Sequence, residues 1–375
     1  MKDAGVDRVF ALADIHLGNP KKLGGPVTCG VNTRGYEVLA VVERVVTSAL
    51  LRDATILVLG DVFDTSSPPP QLISSFMDLM NKAIDAGQRW ELLVGNHDAF
   101  SADVDDHALG PMAWMPNVRV YGDQPTLLSI GTLDIVLVPY MTPVNVTTLT
   151  SALTMVFNRP KLYGRRRALA LHAGIYDETF PLYLRGQADA VSVTELDEVV
   201  LKFDLDEVIA GNWHNAHLWM RDTHRILQTG ALCPTGWDNE GPAYGYVWPV
   251  GFPKGRDPGL ELRGPRFSTV RADHYDEDVA KVALGARTYV RLIAASSAEL
   301  LDAERRIRLD LPNIDSLVFD KVISHKAATD AAEDAVVQAL SSIDDSVAAF
   351  IEKMKLDDDV DRTAVHARVS KYLAR

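Results

Sequence analysis

The sequence predicts a layered α/β fold. Three observations carry that expectation: short apolar runs recur along the chain, amphipathic segments lie between the first of them, and nearly every run ends in a residue able to bind a metal. The first run, Val9 to Ala13, leads into Asp14-Ile15-His16. Tyr36 to Leu51 follows with Val38, Val41, Val42, Val45, Val46 and Ala49 at helical spacing, the pattern of a helix packed on a sheet. The second run, Ile56 to Leu59, leads into Gly60-Asp61-Val62-Phe63-Asp64. Gln71 to Ala86 then repeats the helical pattern with Leu72, Phe76, Leu79, Met80 and Ala83. The third run, Glu91 to Val94, leads into Gly95-Asn96-His97-Asp98. Short continuous apolar runs suit strands buried on both faces.

Between Val118 and Val138 the pattern changes to strand pairs, Val118-Val120, Thr126-Ile130 and Leu133-Val138, with turns at Gly122-Asp123 and Gly131-Thr132, so a β-hairpin is expected. Ala168 to Leu171 runs into His172, and Glu207 to Ala210 into Gly211-Asn212-Trp213-His214. The stretch from Cys233 to Pro265 is rich in Gly, Pro and aromatics and reads as loops. Beyond a boundary between Asp273 and Gly285, Thr288 to Ala294, Ala298 to Leu309 and Ser316 to Val322 read strand, helix, strand. Val336, Leu340, Ile343, Val347, Phe350 and Met354 then form a narrow helical seam, and Ala364 to Leu373 a second short helix. The expected division is a catalytic domain over 1–275, a small α/β cap over 286–325 and C-terminal helices over 326–375.

The composition is that of a globular protein: 375 residues, 47% hydrophobic, with 38 Lys+Arg against 51 Asp+Glu for a net charge of -13. Disordered and fibrous classes are excluded on that basis. No apolar run approaches the ~20 residues of a membrane helix, and no signal peptide is evident, so a cytoplasmic protein without membrane contact is expected. Cys29 and Cys233 are too few and too far apart for a disulfide framework. The acidic balance argues against broad coating of nucleic acid but leaves room for a local basic groove.

Ligand sites in α/β sheets collect beyond the carboxyl ends of strands, so five such endings can converge on one cleft. The chemistry that needs this residue set is two divalent cations about 4 Å apart, holding a phosphate and activating a water. A carboxylate bridges two cations naturally, and imidazoles and an amide oxygen complete the shells. Mixed nitrogen and oxygen donors suit manganese, iron or zinc better than calcium. In Asp14-x-His16, the spacing of two lets both side chains leave a strand end on one side.

Asp14-x-His16, Gly60-Asp61-x-x-Asp64, Gly95-Asn96-His97-Asp98, His172 and Gly211-x-x-His214 resemble the ordered motif set of calcineurin-like metallophosphoesterases. Gly60-Asp61-Val62-Phe63-Asp64-Thr65-Ser66-Ser67-Pro68-Pro69 is most similar to the SbcD/Mre type of DNA-repair nuclease, and the compact C-terminus suits a phage-encoded version. The resemblance implies a four-layer α/β metallophosphoesterase sandwich with a small C-terminal α/β cap. It implies that Asp14, His16 and His214 hold one metal, that Asp61 bridges, and that Asn96 and His172 hold the other. His97 would contact the scissile phosphate and assist the leaving oxygen, with Asp64 orienting it or a backbone group. The implied activity is DNA hydrolysis as a 3′ to 5′ exonuclease and single-strand endonuclease with two divalent ions, Mn2+ first, Fe2+ or Zn2+ next. The implied partners are DNA, an SbcC-like coiled-coil ATPase held by the C-terminal helices, and a second copy in a homodimer. A phosphodiesterase or phosphatase of small cyclic nucleotides or phosphoesters is the alternative enzyme, and a weakly catalytic subunit of an ATPase complex is the third reading.

One departure stands out. The family's last motif is usually Gly-His-x-His, and here Asn212 occupies the first histidine's place. Either the Asn212 amide completes the metal site beside His214, or His214 and His217 are the pair in a shifted register. Lys161, Arg165, Arg166 and Arg167 form the strongest basic cluster, and both a solvated face and a phosphate-contacting role are open to it. The aromatics around the last motif, Trp213 and Trp219 among them, suit packing or a base-stacking platform.

Overall fold

The computed structural model describes residues 8–100, 106–157, 161–237, 246–250, 260–261, 264–282, 287–311 and 317–324. The chain begins with β1 (Arg8–Leu12), the short pair β2 (Val27–Thr28) and β3 (Val31–Asn32), and α1 (Thr33–Arg52). Asn32 starts α1 because its side-chain oxygen accepts the Gly35 N–H at 2.9 Å, and Asp53 ends it in the left-handed conformation at φ 52°. β4 (Ala54–Leu59), α2 (Pro70–Asp85) and β5 (Trp90–Leu93) follow, with Pro70 at the helical position where a missing N–H breaks no bond. Next come β6 (Val118–Tyr121), β7 (Thr126–Ile130), β8 (Leu133–Val138), α3 (Val146–Val156) and β9 (Arg166–His172). β10 (Gly174–Tyr176), β11 (Ala190–Ser192), α4 (Val193–Phe203) and β12 (Glu207–Gly211) complete the second half. α3 and α4 both open with capping boxes, Asn145 with Thr148 and Ser192 with Glu195. The rest is β13 (His217–Met220), β14 (Arg225–Gln228), β15 (Tyr246–Val250), β16 (Leu260–Glu261), β17 (Arg266–Arg271), α5 (Tyr275–Val279), β18 (Thr288–Ala294), α6 (Ser297–Asp310) and β19 (Leu317–Ile323).

Two six-stranded sheets, ordered β16-β15-β1-β4-β5-β6 and β13-β14-β12-β9-β8-β7, stack face to face. Successive strand residues point to opposite faces, so each apolar run serves two cores at once. Val9, Ala11, Leu57 and Leu59 meet Ile135, Leu137, Ala168 and Ile209 between the sheets, all fully buried. Their neighbours Phe10, Leu12, Ile56 and Val58 pack outward on α1 and α2 through Val42, Val45, Phe76 and Met80. On the far side Val136, Leu169 and Val208 pack on α3 and α4 through Leu149, Leu153, Leu196 and Val200. The result is the expected four-layer α/β sandwich. Because β1, β4 and β5 are parallel, as are β9 and β12, each group of strands delivers its carboxyl ends together.

A second unit, the parallel sheet β17-β18-β19 with α5 and α6, has its own core of Val270, Val290, Leu292, Leu300, Ala303 and Ile307. It docks on α1. The Arg34 guanidinium lies 4.8 Å from the ring centroids of both Phe267 and Tyr289, and Glu37 accepts from the Tyr289 hydroxyl at 3.0 Å and pairs with Arg287 at 2.7 Å.

Three details differ from the sequence expectation. Of the three strands after Val118, only β7 and β8 form the hairpin, while β6 extends the first sheet parallel to β5. Strands β15 and β16 lie in the stretch read as loops, and β15 pairs antiparallel with β1 despite Pro249 opposite Phe10. A proline within a run speaks against a strand, which hides this one. β17 lies inside residues 1–275 yet belongs to the small unit, so that unit begins at Arg266. The expected helices of 326–375 lie outside the described residues. Among the described residues no helix is long and apolar enough to cross a membrane.

Candidate metal centre

The five strand endings do converge. Past β1, Asp14 (φ 51°) and His16 (φ 46°) adopt left-handed backbone, as does Asp61 (φ 53°) past β4. Such conformations cost of order 1–3 kcal/mol each in non-glycine residues and persist only where the surroundings fix them. Here the two loops are zipped together: Asp14 N–H donates to Gly60 O at 3.1 Å, His16 N–H to Asp61 O at 3.1 Å and Leu17 N–H to Val62 O at 2.9 Å. Asp14 and His16 therefore converge through turn backbone, not through the pleat of a strand. Gly60 (φ 93°) has to be glycine on two counts, because a Cβ there would also overlap the His172 ring.

Three overlapping groups of donors result, each with its atoms within 4.8 Å of one another: Asp14, His16 and His214; Asp14, Asp61 and His172; His16, Asp64 and His97. Asp61 Oδ2 stands 3.8 Å from His16 Nε2 and 3.4 Å from His172 Nε2, between the two poles. Asn96 Oδ1 is 2.9 Å from His172 Nε2. Two features fit these donors to cations. His16 Nε2 and His214 Nε2 face each other at 3.0 Å, and the buried His16 Nδ1 has no hydrogen-bond partner. Carboxylates, imidazoles and an amide in two poles about one bridging aspartate fit a pair of divalent ions.

Electrostatics follow the same layout. Burial pushes Asp14 up to about 7, opposed by the His172 charge and reinforced by Asp61. Burial acts upward on Asp61 too, but the charge and hydrogen bond of His172 outweigh it and bring the carboxyl down to about 2. His172 is the counterpart: burial pulls it down, yet Asp61, Asp14 and the Leu59 carbonyl lift it to about 9. His16 is held neutral by burial, at about 3.

His97 Nδ1 lies 2.9 Å from the Asp64 backbone carbonyl, which only accepts, so this nitrogen carries the proton. The contact of Asp64 to His97 is thus through its main chain, while its half-exposed carboxylate lies 3.6 Å from His16 Nδ1. The sequence assigned nothing to Asp98. Fully buried, it accepts N–H bonds from Val62 at 3.3 Å, Phe63 at 3.1 Å and Gly95 at 3.2 Å, tying the second and third loops together. Burial and the Asp61 charge raise its carboxyl to about 7 against those donors.

Asn212 sits at the cleft with φ 96°, its N–H donating to both Asp14 oxygens at 3.1 Å. Its side-chain nitrogen donates to Asp189 Oδ2 at 3.2 Å, a residue that carried no motif. His217 is in none of the donor groups among the described residues; it lies on β13 with its ring 4.2 Å from that of Trp219. The shifted register is therefore set aside.

The structure does not bring Arg165, Arg166 and Arg167 to the cleft. β9 starts with Arg166 and ends with His172, a span of roughly 20 Å at ~3.3 Å per residue. Arg165 is paired with Asp134, Arg167 is buried with its guanidinium 4.3 Å over the Phe157 ring, and Lys161 is paired with Asp206 at 2.8 Å. Nearness in an extended sequence is distance in space, and the substrate-contact reading of this cluster is withdrawn.

A family model for calcineurin-like phosphoesterases matches residues 7–216. No curated protein matches the sequence. Among solved structures the chain is similar to a dimetal phosphatase from Danio rerio, at 10% identity over 60% of this chain and 88% of that one with a TM-score of 0.40. It is similar to the phosphopantetheinyl hydrolase of Mycobacterium tuberculosis, at 12% identity over 68% and 99% with a TM-score of 0.39. A phosphoesterase-like protein from Streptococcus pneumoniae gives 12% identity over 62% and 76%, with a TM-score of 0.27.

Proposed function

The chain belongs to the calcineurin-like phosphoesterase family, and on that premise we propose that this metal-dependent phosphoesterase hydrolyses DNA phosphodiester bonds, as an SbcD-like 3′ to 5′ exonuclease with single-strand endonuclease activity. The observation that carries the reading is the docking of the β17-β18-β19 unit beside the cleft. Arg34, packed against the stacked rings of Phe267 and Tyr289, lines one cavity with His16, Gly18 and Asp64. The second unit is thereby joined to the wall of the site through Arg34, and we read that attachment as an extension of the substrate path that suits a polymer.

Asp14, His16 and His214 would hold one cation, Asn96, His172 and the Asn212 amide the other, with Asp61 between them; manganese is the proposed ion, iron or zinc the substitutes. When bound, the pair supplies positive charge that polarises the phosphate and lowers the pKa of the attacking water. The protein's own groups do the rest. The Asp64 carbonyl fixes the proton of His97 on Nδ1 and so presents Nε2 to the phosphate, from which a protonated imidazole can pass a proton to the leaving oxygen. Asp98 holds the loops that carry Asp61 and Asn96 in register.

The test is a manganese-dependent assay on labelled single- and double-stranded DNA, bis-p-nitrophenyl phosphate and 2′,3′-cyclic nucleotides, with Asp61→Ala as the blank. DNA cleavage lost in the blank supports the proposal. Turnover of the small substrates alone would replace it with the second reading, a small-phosphoester hydrolase. That reading is favoured by the net charge of -13 and by the engagement of Arg34 with Glu37 and the Pro234 carbonyl, which leaves it poorly placed to neutralise a long phosphate backbone. A coiled-coil ATPase partner and a homodimer remain part of the proposal; co-purification with and without residues 326–375 tests the former.

A further inference from the structure

On the His214 side the cleft opens into a pocket of ≈ 290 Å³ lined by Ile175, Phe180, Leu184, Trp213, His214 and Gln228, among others. Its walls are aromatic and fixed. The rings of Trp213 and Phe180 stack with centroids 5.6 Å apart at 27°. Gly174 makes room for the indole, since a Cβ there would overlap it. Behind Phe180 stand Trp219 at 6.2 Å and His217 at 5.8 Å, and the Trp219 indole N–H is anchored to Asp177 Oδ2 at 2.7 Å. The buried Gln228 in the wall is already engaged: it accepts from the Ile175 N–H at 2.9 Å and donates to the carbonyls of Gly211 at 2.9 Å and Ala210 at 3.3 Å. The pocket thus presents aromatic and aliphatic side chains together with the amides of Asn212 and Asn215, and it adjoins a metal donor directly through His214.

We propose that this pocket seats one unpaired nucleobase beside the scissile phosphate, stacked against the Trp213–Phe180 pair. Stacking on a ring face tolerates every base, because each has one, whereas an aliphatic chain would gain burial there but no stacking. The base must leave its duplex to enter, so the substrate class narrows to single strands and frayed ends, with little preference for sequence. This inference rests on the nuclease reading.

The experiment compares two manganese-dependent substrates, single strands that differ only in whether the nucleotide next to the cut carries a base or is abasic. Wild type, Trp213→Phe and Trp213→Ala are measured, with thermal melting of each as the folding control. The expected result is a preference of roughly tenfold or more for the base-bearing strand in wild type, partly kept by Trp213→Phe and lost in Trp213→Ala. Equal cleavage of the two strands by wild type, or a full preference in Trp213→Ala, would overturn it. A second readout needs no activity: in EDTA, quenching of tryptophan fluorescence by AMP but not by ribose 5-phosphate, absent from Trp213→Phe, is expected. If DNA is not cut while small phosphodiesters are, the nuclease reading fails, and this binding result then decides the pocket alone. No quenching by either probe overturns it.

Discussion

The side-chain nitrogen of Asn212 donates to Asp189 Oδ2 at 3.2 Å, which leaves the amide oxygen as the branch free to meet a cation. The substitution of an amide for the usual imidazole is thus accompanied by a carboxylate that orients it. Residues that orient metal ligands typically account for 10–100-fold in metal affinity. Asp189→Ala is expected to weaken manganese binding by about tenfold in calorimetric titration, and Asn212→His to tighten it. An unchanged titration in both variants would remove Asn212 from the site.

Metal uptake should release protons. His172 offers Nδ1 to the Leu59 carbonyl at 2.6 Å and Nε2 to Asn96 Oδ1 at 2.9 Å, two acceptors that call for the doubly protonated ring, in keeping with a pKa lifted to about 9. A cation held by His172 would take the place of one of those protons. Calorimetry of manganese binding at pH 7.5 in buffers of different ionisation enthalpy is expected to report at least one proton released per chain; none would contradict the assignment. The same shift has a stability consequence. A histidine raised from its usual 6.5 adds stability that is complete below 6.5 and lost as pH rises through 9. The metal-free protein should therefore melt at lower temperature at pH 9 than at pH 6.5, a difference that His172→Gln reduces.

Asp98 is a structural hinge-pin of the site without being a ligand. Asp98→Ala would leave the buried N–H groups of Val62, Phe63 and Gly95 without their acceptor. Each such loss costs about 1–3 kcal/mol, so the variant is expected to lose at least about 3 kcal/mol. In a urea titration the midpoint should fall accordingly. A midpoint within error of wild type would mean that the loops are held by other bonds.

His97→Ala should separate chemistry from metal binding. His97 belongs only to the outer donor group with His16 and Asp64, and its backbone N–H, which donates to Asp61 Oδ1 at 2.9 Å, survives the substitution. Turnover is expected to fall by roughly 10²–10⁴, the usual range for a lost general acid, with manganese affinity within about twofold. Full activity would end the role given to its imidazole.

Much of the centre was legible because buried parallel strands are written as continuous apolar runs. A polar residue within a few positions past such a run stands out, and Asp14, Asp61, Asn96, His172 and His214 all do. What was not legible depends on long-range pairing. Asp189 lies on the crossover between β10 and β11 and meets Asn212 only because β10 and β11 are drawn alongside the cleft. Strand β15 was masked by Pro249, and β17 by its parallel partner β18, to which no turn signal points. The arginines before His172 misled for a simple reason: a strand places its two ends far apart.

These side chains would hold two divalent ions with Asp61 shared between them, and the number of manganese ions bound per chain measures this most directly. Equilibrium dialysis with metal analysis is expected to give two per chain for wild type and fewer than two for Asp61→Ala, with both proteins folded. A single ion in wild type, or two ions retained by Asp61→Ala, would contradict it.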